Sequence, residues 1–295
     1  PAAIGNSATQ LNVFVSGNLA SFVEGGRSWL ATADRLYQLP LGLVGVAIGI
    51  ALLPRLSAAV ASNDRARQKT SMDQAVLLSM ALTLPAAAAL MGMPYFLIDA
   101  LFTRGAFLDV DARATAEALF QFGWGVPAFV LIRILAPAFF ARGDTRSPMR
   151  FALVSVAVNA VVAVGLFYSG MGVPGIAAAV SAAAWSNAGL LALTLWRRDH
   201  YRPGPALVSR LIRIAFAAAG MGLLAAVATW ARPYYEPEIG NLLAGLGLDH
   251  GAKELSVAVV TALGGLTYAV LALATRAVRI SELKALVQRG NGGKA

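Results

Sequence analysis

Apolar residues run along this chain in stretches of about twenty, broken by short clusters of charged and turn-forming residues. Strict alternation, the mark of a half-buried strand, is absent from these stretches. A helical period is weak in them too, as expected of helices that are apolar all round. The hydrocarbon core of a bilayer is about 30 Å thick and takes roughly 20 apolar residues per helix. That template predicts about eight spans: Ala2–Phe22, Trp29–Leu53, Gln74–Ile98, Ala114–Phe140, Phe151–Tyr168, Pro174–Trp196, Ile212–Trp230 and Leu255–Thr275. Between them lie turn sequences such as Glu24-Gly25-Gly26, Ser62-Asn63-Asp64, Arg142-Gly143-Asp144, Tyr201-Arg202-Pro203-Gly204 and Glu236-Pro237-Glu238. The fold class expected is all-α: a polytopic membrane helix bundle.

Composition agrees. Of the 295 residues 58% are hydrophobic and 13% charged, with a mean hydropathy of +0.66; soluble domains carry about a quarter charged residues. Cysteine is absent, which excludes a disulfide framework and thiolate metal sites. The formal charge of +9 is sorted by position. Seventeen of the 24 Lys and Arg residues fall after spans two, four and six or in the C-terminal tail, among them Arg65, Arg67, Lys69, Arg142, Arg198 and Arg202. The alternate loops hold Arg27, Arg104, Arg113, Arg232 and Lys253. The positive-inside rule then places the basic loops and both chain ends in the cytoplasm. The charge is a topology signal, so no nucleic-acid partner is expected. The start, Pro1-Ala2-Ala3-Ile4, has no charged n-region and no initiator Met, which suggests a fragment without its N-terminal part.

Enzyme and cofactor motifs fail on context. Gly170-Met171-Gly172-Val173-Pro174-Gly175 fits G-x-G-x-x-G, but it joins two apolar spans where a dinucleotide site needs a strand before it. It is read as a tight hairpin. His200 and His250 belong to loops on opposite faces and cannot share a metal. No cofactor, no metal site and no catalytic residue is expected.

Two arginines, Arg35 and Arg133, lie inside spans, where a charge costs about 2.5–3.5 kcal/mol on insertion scales and marks a functional site by default. Arg35 sits about 13 Å along a helix that starts near Gly26, at 1.5 Å per residue, which is close to the midplane. Gln38, Gly42, Gly45 and Gly49 follow on its face, polar and then small, as suits a water-filled cavity or a close helix contact. Pro40 removes a backbone hydrogen bond, and with Gly42 it forms a candidate hinge. Adjacent residues point about 100° apart, so Asp34 and Arg35 cannot both face one partner directly. Asp34 neutralises Arg35, partners another helix for structure, or shares the cavity with Arg35. A guanidinium there suits phosphate or carboxylate, since its fork donates two parallel hydrogen bonds. Arg133, Asn12 and Asn159 are secondary polar sites: Arg133 within snorkelling reach of an interface, the two asparagines placed to hydrogen-bond neighbouring helices.

The segment Ala33-Asp34-Arg35-Leu36-Tyr37-Gln38-Leu39-Pro40-Leu41-Gly42, its continuation through Leu52-Leu53-Pro54-Arg55-Leu56-Ser57, Leu101-Phe102-Thr103-Arg104-Gly105-Ala106-Phe107, and Leu135-Ala136-Pro137-Ala138-Phe139-Phe140-Ala141-Arg142-Gly143-Asp144-Thr145 together resemble the MurJ (MviN) lipid II flippases. These belong to the multidrug/oligosaccharidyl-lipid/polysaccharide exporter superfamily. The resemblance implies fourteen helices in two six-helix lobes plus two extra helices. This chain would be the second lobe (residues 1–206), the extra pair forming a lipid-tail groove (207–275) and a basic cytoplasmic tail (276–295).

It further implies movement of an undecaprenyl-diphosphate-linked peptidoglycan precursor from the inner to the outer leaflet of the bacterial cytoplasmic membrane by alternating access. The partners would be lipid II, membrane lipids and the missing N-terminal lobe. Arg35, with Asp34 and Gln38, would bind the head group. Some members carry a sodium site in this lobe, but Asn12 and Asn159 have no mid-span carboxylate beside them, so none is expected here. A related exporter of the superfamily, or a non-transporting truncated fragment, remains the alternative.

Overall fold

The computed structural model describes residues 10, 13–245 and 251–277, with backbone alone for 43–51. The described residues are overwhelmingly helical and form no strand. The predicted first span therefore falls largely outside them, as do Asn12, His250 and the tail from residue 278; residues 13–20 of that span are helical. The remaining helices are α1 (Gly26–Ala61), α2 (Arg65–Gly92), α3 (Pro94–Phe102), α4 (Asp109–Gly123), α5 (Val126–Phe140), α6 (Arg146–Leu166), α7 (Gly172–Arg197), α8 (Pro205–Gly245) and α9 (Ala252–Ala274). Among the described residues five helical stretches are long and apolar enough to cross a membrane: Arg65–Gly92, Asp109–Phe140, Arg146–Arg197, Pro205–Gly245 and Ala252–Ala274.

Several predicted spans differ in their details. The third breaks at Met93 (φ −137°, ψ 46°), because Pro94 disfavours helix at the residue before it and then opens α3 at its first position. The fourth is two helices, α4 and α5, parted at Trp124-Gly125, with Pro127 in the first turn of α5. The Gly170–Gly175 segment is the hairpin expected: Gly170 (φ 98°) and Gly172 (φ 58°) occupy the left-handed side of backbone space, and α6 and α7 pack along each other beyond it. The seventh span grows into the 41-residue α8, which continues through Pro233 and Pro237.

Helix α1 packs on α2, α4 and α5, while α7 covers α4, α5 and α6. The core between them includes Leu56, Met72, Leu119, Ile134 and Leu195, each essentially without exposed surface. α8 and α9 pack on each other and join the rest chiefly through α2 and α3. Their outward faces carry exposed Phe216, Leu223, Trp230 and Leu266, surface that fits lipid rather than water.

Two devices hold this pair in place. At the α2–α8 crossing, a Cβ added to Gly92 would lie 2.5 Å from the Gly222 carbonyl oxygen and 3.2 Å from the Ala225 Cβ, so the backbones touch as small residues allow. At the less basic end, the buried Asp99 of α3 takes Arg232 of α8 on one oxygen and Lys253 of α9 on the other, at 2.9 Å for the lysine; Arg232 also pairs with Glu236. Gly92→Leu should cost about 1–3 kcal/mol of stability through overpacking. Gly189→Ala, at a helical glycine with nothing within 4 Å of the new Cβ, should be neutral or stabilising by up to about 1 kcal/mol. Thermal unfolding in detergent checks both.

Candidate functional site

The first turn of α1 is held in place by a neighbouring helix. The Trp29 indole N–H donates to the Asp111 carboxylate at 2.7 Å, tying the start of α1 to the start of α4. Asp111 also accepts the Leu108 amide at 2.8 Å, completing the cap of α4. About two turns further on, Tyr37 is buried and stacked against Phe122 (4.6 Å between centroids) and Phe129 (5.4 Å). Its position sets the register of everything around it.

Asp34 and Arg35 do not pair. The half-buried Asp34 carboxylate accepts from the Gln38 amide, one turn along the same helix, with the Tyr37 side chain beside it. Arg35 turns the other way: it is exposed and makes no ion pair or hydrogen bond among the described residues. Adjacent helical positions point about 100° apart, and that angle separates a carboxylate turned inward from a guanidinium turned outward. Ser28, Ala31, Arg35, Gln38 and Gly42 are all exposed, at spacings of three or four residues. They make a small, polar stripe along one side of α1. Gly42 has nothing within 4 Å of where its Cβ would be.

Arg133 of α5 donates to the Leu41 carbonyl at 3.4 Å. It thus lies against α1 one turn past Tyr37, where Pro40 supplies no amide to the helix. Its reading as a snorkelling cation is incomplete, since the guanidinium also contacts the neighbouring backbone. α1 itself runs unbroken through Pro40 and Pro54. Asn159 is fully buried on α6, one turn from Ser155, whose hydroxyl donates to the Ala183 carbonyl of α7 at 2.9 Å. It therefore belongs to the α6–α7 contact and lies on a different helix from the α1 cluster. The structure puts Arg35, Gln38 and Gly42 on one exposed stripe of α1, turns Asp34 inward, and brings Arg133 to the Leu41 carbonyl next to Pro40; Asn12 lies outside the described residues.

Sequence reasoning missed Tyr37. The signal was present: a hydroxyl three residues after Asp34 and an amide four after it are the two helical neighbours a carboxylate can reach. It also left Asp99, Arg232 and Lys253 as separate loop or helix-end charges, because nothing in spacing joins residues more than 130 positions apart.

A bundle of long apolar helices that carries an exposed cation on a polar stripe has the make-up of a helical membrane transporter, and the fold agrees. A solved structure described as lipid II flippase MurJ in an inward closed conformation superposes with a TM-score of 0.68 at 20% identity, over 90% of this chain and 50% of the other. A solved structure described as MATE in the straight conformation gives 0.54 at 15% identity, over 92% of this chain and 62% of the other. The family model for lipid II flippase MurJ matches residues 1–240. A probable lipid II flippase MurJ of Rhizobium meliloti (strain 1021) is 40% identical over 99% of this chain and 55% of its own length. One from Rhizobium tropici is 39% identical over 82% of this chain and 44% of its own length. The chain belongs to the MurJ lipid II flippase family, a family of transporters rather than enzymes. It spans about half the length of the curated relatives it matches.

Proposed function

We propose that this chain is the second lobe, with its extra helix pair, of a lipid II flippase in a bacterial cytoplasmic membrane. In this reading the protein moves undecaprenyl-diphosphate-linked peptidoglycan precursor between leaflets by alternating access. The observation that carries it is Arg35: a permanent cation ten residues into the 36-residue α1, unpaired among the described residues and set on an exposed polar stripe. A cation so placed is costly in lipid and is accounted for by a hydrated cavity with an anionic cargo.

The cargo has an anionic head, which must cross hydrocarbon, and an apolar tail, which never needs to leave it. Arg35 would meet the diphosphate through its forked donors. Gln38 would add an amide beside it, and Asp34, hydrogen-bonded to Gln38, would position that amide. Arg133 would supply a second positive charge close to the same stripe. Pro40 and Gly42 would let α1 bend as the lobes rock. The exposed apolar faces of α8 and α9 would carry the prenyl tail, as residues 207–275 distinct from the lobe at 1–206. The basic loops would face the cytoplasm with both ends of the chain, by charge asymmetry.

Half the cavity wall is absent from a single lobe, so the 295-residue chain alone should not flip the lipid in liposomes. The same lobe joined to a first lobe should do so. Head-group movement by this chain alone, measured as access of an outside reagent to labelled lipid, would contradict the two-lobe reading.

A further inference from the structure

The strongest cluster of charge outside α1 lies at the basic end. A cavity of about 380 Å³ opens between the end of α1, the start of α2, the end of α5 and the turn after α7. Arg65, Lys69, Arg142 and Arg202 line it, with Asp199 as the one carboxylate. That carboxylate is already shared, 3.5 Å from Arg65 and 3.2 Å from Arg202. The cavity therefore carries an excess of about three positive charges.

Topology alone would leave such cations loose in water, as it does the exposed Arg67 at the same end. Arg142 is different. Its guanidinium is fixed by neutral acceptors from three directions: the Ala138 carbonyl at 2.7 Å, the Gln68 side-chain oxygen at 2.5 Å and the His200 carbonyl at 3.5 Å. Gln68 is itself buried and anchored by donating to the Ala59 carbonyl at 3.1 Å. No carboxylate reaches the Arg142 guanidinium among the described residues. The Lys69 ammonium, exposed at the rim near Gly204, has no acceptor among them either.

The neighbouring turn is equally fixed. The Tyr201 hydroxyl donates to Asp73 at 2.7 Å, and Arg198 pairs with Asp144 at 2.6 Å. In His200, Nδ1 is buried without a hydrogen-bond partner. Burial and the charges of Arg142, Arg198 and Arg65 hold the imidazole below its usual range, against the weaker opposing pull of Asp144. A preorganised guanidinium, a free ammonium and two half-engaged arginines around one small cavity form a receptor for a compact anion with several oxygens.

We propose that this basic-end cavity, lined by Arg65, Lys69, Arg142 and Arg202, binds a phosphate group, supplied by the head group of an anionic membrane lipid. It is separate from the α1 stripe, so the proposal stands or falls independently of the flippase reading.

The test is thermal unfolding of the purified protein in uncharged detergent at constant ionic strength. Short-chain phosphatidylglycerol, phosphatidylcholine and inorganic phosphate are titrated in turn. Phosphatidylglycerol should raise the midpoint saturably and phosphatidylcholine should not. Inorganic phosphate should act only weakly; an equal shift by inorganic phosphate would keep the site and reassign it to soluble anions. Lys69→Gln and Arg142→Gln should each raise the half-saturating concentration about tenfold, the size of one lost charged hydrogen bond. Arg67→Gln should leave it unchanged. Lys69 is exposed and holds nothing together, so its variant separates binding from folding. Equal, unsaturable shifts with both lipids, or an unchanged half-saturation for Lys69→Gln, would overturn the proposal.

Discussion

Arg35→Ala, in the complete protein, is expected to abolish growth of cells depleted of their own flippase while leaving the protein in the membrane at normal abundance. The two halves of that expectation come from one geometry. The guanidinium is exposed and has no partner among the described residues, so its removal breaks no contact of the fold. Stability should move by no more than about 0.5 kcal/mol, as for other surface substitutions. What would be lost is the charge that, in the proposed function, meets the cargo. Arg35→Lys keeps the charge and loses the fork, and should support slow growth. Arg104→Ala is the comparison: that exposed side chain caps the Ala100 and Leu101 carbonyls and lies 3.7 Å from Glu254, away from the stripe, so growth should persist. Normal growth of the Arg35→Ala cells would remove the cavity role.

Asp99→Ala should act the opposite way, on the fold. The carboxylate is 4% exposed and faces two cations, of which Arg232 is itself 12% exposed. Removing it leaves Arg232 with Glu236 alone and Lys253 with no carboxylate, at an expected cost of about 3–5 kcal/mol. The coupling between Asp99→Ala and Arg232→Ala should be non-additive by about 1–3 kcal/mol.

The same network has a pH signature. Burial pushes the Asp99 carboxyl up, but hydrogen bonds from Lys253 and Arg232 and their charges outweigh it, and the group titrates below the usual carboxylate range. Its contribution is therefore full above the unfolded value of about 4 and is lost as pH falls through the lower folded value. The stability gap between the parent and Asp99→Ala, measured by unfolding in detergent, should narrow below about pH 4 and stay flat above it.

Much of this architecture was legible in the sequence because lipid leaves few alternatives: backbone polar groups must be satisfied within helices. Apolar length alone located most spans, and the Gly170–Gly175 turn followed from its setting between two of them. The breaks at Met93 and Trp124 were harder to see. An apolar run does not stop where a proline interrupts its hydrogen bonds, so hydropathy carried the eye across Pro94 and Pro127. Arg35 stood out because a charge inside an apolar stretch is expensive in lipid. The sequence leaves the partner of Asp34 open between Arg35, a neighbouring helix and a cavity; a helix turns adjacent residues apart, and Gln38 one turn on takes the carboxylate instead. Contacts such as Asp99 with Lys253 or Arg142 with Gln68 depend on how helices cross, and a single sequence does not carry that.

The most direct measurement is binding of an undecaprenyl-diphosphate-linked precursor to the complete protein, compared with its Arg35→Ala variant by native mass spectrometry. The account predicts tight binding by the parent and a loss of at least about tenfold in the variant, roughly the worth of one forked guanidinium–phosphate contact. Equal affinity of the two proteins would contradict it.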